Sequence, residues 1–121
     1  MNYNTLYASF KALFPEDKSF FEELEAENLI DDTVGMHPTF GLVVVPYILV
    51  CLRENKTTEI ERIFAFLEKM TTCGDADIVG VLDFTVLEHL VDEGHELMTK
   101  CKCYMGKNTL EHCEEVEKYF L

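Results

Sequence analysis

Apolar and polar residues recur with a helical period along almost the whole chain, and the widest apolar stripe lies between Gly74 and Gly94. There Ile78, Val81, Leu82, Val86, Leu87, Leu90 and Val91 follow three- and four-residue spacing, with Asp75 or Asp77 placed to cap the start. A stripe that covers most of the circumference predicts a central helix packed by several neighbours. Its remaining positions, Asp83, Glu88, Asp92 and His89, fall toward the surface.

The segments on either side of this helix read the same way. Asn4 or Thr5 is placed to cap a first helix carrying Leu6, Tyr7, Phe10, Leu13 and Phe14, closed by Pro15. Phe20, Phe21 and Leu24 mark a second helix within Glu16 to Glu27, and Asp31 to Pro38 has the residues of a loop, with Pro38 in the first turn of the next helix. The run from Thr39 to Arg53 is rich in valine and isoleucine and resembles a strand locally. No second strand lies nearby to pair with it, so a buried helix kinked or restarted at Pro46 is the expectation. Thr58 and Glu61 have the spacing of a capping box ahead of Ile60, Ile63, Phe64, Leu67 and Met70. Leu97, Met98, Cys101, Tyr104 and Met105 predict a short helix stopped by Gly106. Asn108 or Thr109 would then cap a last helix bearing Leu110, Cys113, Val116 and Phe120.

These elements predict an all-α fold, one domain over residues 1–121, built as an irregular bundle of six or seven helices. A short solenoid-like stack of antiparallel pairs is the alternative arrangement. Phe10, Phe14, Phe20, Phe21, Phe64, Phe66 and Phe84 are expected in the core.

Charge adds what periodicity leaves out. With 23 acidic against 10 basic residues, the formal net charge is −13, which disfavours nucleic acid and anionic membranes as partners and favours encounter with a basic protein. A charge of this sign also serves solubility. The candidate partner-binding residues are Glu22, Glu23, Glu25, Glu27, Asp31 and Asp32 in one patch and Asp83, Glu88, Asp92, Glu93 and Glu96 in another. Glu111, Glu114, Glu115 and Glu117 form a third patch, and for each taken singly a solvated helix face is the default reading. The first residues lack a basic segment followed by an apolar one, and the five cysteines are an odd number for a disulfide framework, so a cytoplasmic location is expected.

Candidate chemistry is sparse. His95, Cys101, Cys103, His112 and Cys113 lie close in sequence, but Cys101 and Cys103 on a helix would point apart, unlike the paired cysteines of a zinc turn. Cys73 beside Gly74 at a helix start could have a lowered pKa, yet no histidine is placed locally as its base. No phosphate-cradling glycine motif is present. No catalytic residue, metal or cofactor is expected.

Phe66-Leu67-Glu68-Lys69-Met70, then Gly74-Asp75-Ala76-Asp77 and Asp83-Phe84-Thr85-Val86-Leu87-Glu88-His89-Leu90, resemble the small acidic all-helical immunity proteins of bacterial polymorphic toxin systems, including those of contact-dependent growth inhibition. The resemblance runs from Pro38 to Gly94, about half the chain. It implies a non-enzymatic cytoplasmic protein that binds a cognate toxin domain, often a nuclease, and covers its basic active-site or nucleic-acid-binding surface. It carries over no individual toxin-binding residue. A helical adaptor for another basic partner is the alternative, and a small thiol- or metal-dependent enzyme a third.

Overall fold

The computed structural model describes residues 1–120, and seven helices are formed among them. The first is opened by Asn2, not by Asn4 or Thr5. Asn2 Oδ1 accepts the Asn4 N–H at 2.8 Å and starts a 3-10 turn, Tyr3–Thr5, that runs into Leu6–Lys11, while Thr5 makes no side-chain capping bond. Together these residues are α1. Pro15 begins a second 3-10 turn, Pro15–Asp17, which continues as Lys18–Glu27 to give α2.

The ambiguous valine-rich segment is one helix, α3, from Met36 to Arg53. Its irregularity precedes Pro46 instead of falling on it. Between Phe40–Val44 the coil widens to a π-helical turn, and the Val45 N–H reaches back to the Phe40 carbonyl. Proline lacks an N–H and crowds the carbonyl four residues earlier, so a widened turn just before it removes the clash without breaking the helix. The segment is apolar and long enough to cross a membrane by length and composition, with a mean hydropathy of 1.5. Within the fold, Phe40, Val43, Val44, Tyr47, Ile48, Cys51 and Leu52 are buried by other helices.

Helix α4, Thr57–Thr72, begins one residue before the expected capping box, and no side chain caps it. The preceding turn decides this. Asn55 takes a left-handed conformation (φ 54°), the Lys56 N–H bonds the Cys51 carbonyl and the Asn55 N–H bonds that of Leu52, so the chain enters the helix at Thr57 and leaves Thr58 inside it. Helix α5 comprises Ala76–Val81, a second π-helical turn at Leu82–Leu87, and Glu88–Asp92. Asp75 is its cap, accepting the Asp77 and Ile78 N–H groups. Gly74 and Gly94, with φ of 79° and 116°, bound it on both sides.

Helix α6 is His95–Lys102, and α7 is Lys107–Glu117 with a closing 3-10 turn, Lys118–Phe120. The expected cap of α7 is supplied from elsewhere. Glu68 of α4 accepts the N–H and side-chain groups of both Asn108 and Thr109, at 2.7–3.2 Å, and so takes the place of a local N-cap. Gly106 permits this approach, because a Cβ there would lie 2.6 Å from the Glu68 carboxyl.

The widened turn of α5 touches α3, α4 and α7 together, which makes α5 the central helix. Ile78, Val81, Leu82, Val86, Leu87 and Leu90 are buried in it as expected. Aromatic rings fill the space between α1, α2 and α3. Phe21 and Phe14 lie 4.7 and 4.9 Å from the Tyr47 ring, and Phe10 lies 5.4 Å from Phe66. Tyr47 donates its hydroxyl to Asp17 Oδ2 at 2.6 Å, which satisfies the one polar atom of this ring. Of the phenylalanines expected inside, Phe10, Phe14, Phe21, Phe64 and Phe66 are buried and Phe20 is partly so. Phe84 is a correction: it is 65% exposed. Phe120, placed on the apolar side of the last helix by its spacing, is 46% exposed in the closing 3-10 turn.

The Glu68 cap has a measurable signature. Burial, the largest single influence, pushes the Glu68 carboxyl up, but the bonds from Thr109 and Asn108 together hold it below its ordinary 4.5. The unfolded chain therefore binds this proton more readily than the folded one, so the contribution is present above the ordinary value and is lost as pH falls through the folded one. In urea titrations Glu68→Ala should cost about 1–2 kcal/mol at neutral pH. Glu68→Gln should flatten the acid limb of the stability curve, and an unchanged limb would remove Glu68 from this role.

Candidate functional site

The acidic residues singled out by sequence separate into engaged and unengaged groups. On α2 and the loop after it, Glu22, Glu23, Glu27, Asp31 and Asp32 are exposed. Glu25 is different. It accepts the Lys11 ammonium at 2.8 Å and the Tyr7 hydroxyl, and Lys11 lies 4.4 Å over the Tyr7 ring. Burial raises the Glu25 pKa, but its bonds to Lys11 and Tyr7 outweigh that and leave it lowered, while burial and Glu25 push the Tyr7 hydroxyl well up. This trio lies in a cleft of about 270 Å³ whose rim carries Asp31 and Asp32. Glu25 thus joins α1 to α2 through Lys11 and Tyr7.

The end of α2 carries an outlier. Leu29 has φ 54° and is 83% exposed, at the position of a helix-terminal turn that usually holds glycine. Its N–H bonds the Ala26 carbonyl and that of Ile30 bonds Glu25, so the turn itself is fully formed.

The second predicted patch also divides. Asp83 faces α7, where His112 Nδ1 lies 2.8 Å from its Oδ1, and Glu93 reaches Arg53 at 3.4 Å. Glu88, Asp92 and Glu96 have no ion pair among the described residues. Glu88 and Asp92 line a shallow cleft of about 180 Å³ with His89 and Phe120. Asp83 belongs instead with the third patch, in a cleft of about 580 Å³ lined by Glu111, His112, Glu114, Glu115 and Lys118. In that third patch Glu117 pairs with Lys102 at 2.7 Å and Glu115 with Lys118 at 2.8 Å. Glu22 pairs only loosely with Lys18, at 3.7 Å between two exposed side chains.

Sequence reasoning missed the crossing of α3 and α5. The two π-helical turns lie against each other there, with Gly41 of α3 at Thr85 and His89 of α5. Thr85 is buried, and its Oγ1 is hydrogen-bonded to His37 Nδ1 at 2.6 Å. The Thr85 carbonyl accepts from His89 Nδ1 at 2.6 Å, which places a proton on that nitrogen. A threonine inside an otherwise aliphatic stripe was the available signal for this contact.

Thiol chemistry has poor surroundings. Burial pushes Cys51, Cys101 and Cys113 up, to about 11, 12 and 11. Cys101 is buried and Cys103 exposed, so the two point apart as expected, and Cys113 Sγ lies 3.3 Å from Met98 Sδ. Cys73 donates to the Met70 carbonyl at the end of α4. His95 is exposed on α6. Among the described residues no three His, Cys, Asp or Glu side chains are grouped to hold a metal ion. What the surface offers chemically is carboxylates held toward solvent, suited to pairing with cations on another macromolecule.

Residues 7–120 match a domain family described as a domain of unknown function, DUF7674, and the chain belongs to it. No match was found among curated proteins or among solved structures.

Titration of the native protein with a chromophoric disulfide at neutral pH should release one rapid equivalent, from Cys103, followed by slow reaction of Cys73. Cys51, Cys101 and Cys113 should react only on unfolding. Rapid reaction of two or more thiols would contradict the burial described.

Proposed function

We propose that this protein is a non-enzymatic binder of a basic protein domain, and that it acts as a cytoplasmic immunity protein covering the cationic surface of a cognate toxin, a nuclease in the simplest form. The observation that carries the reading is the division of the acidic residues. Helix-to-helix pairing uses Glu25, Asp83 and Glu93, whereas Glu23, Glu27, Asp31, Asp32, Glu88, Asp92 and Glu96 stand without ion pairs among the described residues. Seven unpaired carboxylates on two faces of a chain with net charge −13 exceed what holding the bundle together requires. A nuclease must present a cationic cleft to bind its polyanionic substrate, and such a cleft is the natural complement of these faces.

The resemblance of the segment from Pro38 to Gly94 to immunity proteins supports the finer part of the reading, and the charge supports the coarser part independently. Binding would proceed by fast, electrostatically steered encounter, followed by short-range contacts that exclude substrate. No covalent step is needed. Stoichiometric occlusion is sufficient.

The test is co-expression with the toxin domain encoded by the adjoining gene. The expected outcome is restored growth and a one-to-one complex whose affinity falls at least about tenfold between low and half-molar salt. Growth arrest despite stable co-expression, or a complex insensitive to salt, would contradict the proposal.

A further inference from the structure

Phe84 is the largest discrepancy between pattern and surface in this protein. It sits in the middle of α5, flanked by buried Leu82, Thr85, Val86 and Leu87, yet 65% of it is exposed. Its position within the widened turn accounts for this: Thr85 is held inward between Gly41 and the His37 ring, and the residue before it is turned to solvent. Residues four apart share a helix face, so Glu88 and Asp92 continue the stripe from Phe84 along α5. Phe120, also nearly half exposed, lies at the same shallow cleft as Glu88 and Asp92. Phe120 and His89 thus border Glu88 and Asp92 in this cleft, and Phe84 stands four residues before Glu88 on α5. Interface centres are enriched in aromatic residues surrounded by polar rims, which is the combination that Phe84, Phe120 and these carboxylates offer.

The geometry points to this stripe, Phe84, Glu88, Asp92 and Phe120, as the docking face for a basic protein surface that offers an apolar socket flanked by lysine or arginine. The inference rests on reading the protein as a binder of a basic partner, but not on that partner's being a toxin. Charge selects the occupant. A second copy packed face to face would set Glu88 and Asp92 against the same carboxylates, and nucleic acid or an anionic membrane would meet like charge. The α2 face is a weaker candidate because its exposed apolar residue, Leu29, is aliphatic and sits at the end of its helix, whereas Phe84 is aromatic and lies in mid-helix.

The experiment places the photo-cross-linking amino acid benzoylphenylalanine at position 84 of the full chain, expressed in the cells that naturally encode it. A control carries it at Glu61, exposed on α4. Adducts are identified by mass spectrometry, and thermal melting verifies that each variant folds. The expected result is an adduct from position 84 with one protein of net positive charge, absent from position 61. Its yield should drop at least about tenfold when Glu88→Lys and Asp92→Lys are introduced together. If that protein is the adjoining toxin, both readings stand; if it is basic but not a toxin, the docking face stands and the immunity reading falls. A self-adduct, an acidic partner, no adduct from position 84, equal yield from position 61, or insensitivity to the charge reversal would overturn the docking face. A toxin adduct seen only from position 61 would overturn it while leaving the immunity reading intact.

Discussion

The close crossing of α3 and α5 is the contact on which the rest of the bundle depends. Gly41 lies directly against α5 there: a Cβ at this position would come within ordinary van der Waals contact of Thr85 Cγ2, at 3.4 Å, and of the His89 ring, at 3.7 Å. The crossing needs Thr85 to be satisfied, since a buried hydroxyl left without a partner costs about 1–3 kcal/mol. His37 of α3 meets that requirement at the hydroxyl, and His89 of α5 bonds the Thr85 carbonyl. Both helices are widened into π-helical turns where they meet, and such turns are found disproportionately at functional sites. In α3 the widening has a local cause in Pro46; in α5 it accompanies the inward placement of Thr85.

Around this crossing the remaining helices are tied by a few specific polar bonds over a large aliphatic and aromatic core. Tyr47 reaches Asp17, Glu25 gathers Tyr7 and Lys11, and Glu68 holds the start of α7. Each joins residues 14 or more positions apart, and together they use only a few of the acidic residues. The surplus of negative charge is left on the outside, where in the proposed complex it would act at a distance on encounter, and the exposed Phe84 would supply the short-range contact that charge alone lacks. The proposed function and the proposed docking face thus arise from one arrangement: a central helix whose buried side fixes the bundle and whose widened turn presents an aromatic residue among carboxylates.

Much of the fold was legible in the sequence because helices with wide apolar stripes have few alternatives. The span between Gly74 and Gly94, a cap at one of Asp75 and Asp77, and the burial of Ile78, Val81, Leu82, Val86, Leu87 and Leu90 follow from local chemistry and a 3.6-residue period, and the structure selects Asp75. What the period could not reveal were departures from it. Aromatic character alone puts Phe84 in the core, whereas it lies in the π-helical turn of α5 and faces solvent, and such a turn has no simple local signature. The capping box at Thr58 failed because the left-handed Asn55 sets the entry to α4 two residues earlier, with Lys56 at the cap position. The cap of α7 lies on α4, a non-local bond invisible to any reading of neighbouring residues. For the same reason Glu25, Asp83 and Glu93 could not be told apart from Glu88 and Asp92, since only tertiary structure decides which carboxylates find a partner.

The central claim is that the surface produced by the α3–α5 crossing is the one that engages the partner. Hydrogen–deuterium exchange on a complex with the proposed toxin partner measures this directly, because amides slowed by binding report where the partner sits. Slowing concentrated in residues 82–92, with 22–32 exchanging as in the free protein, is the predicted result. Slowing confined to 22–32, with 82–92 unchanged, would contradict it.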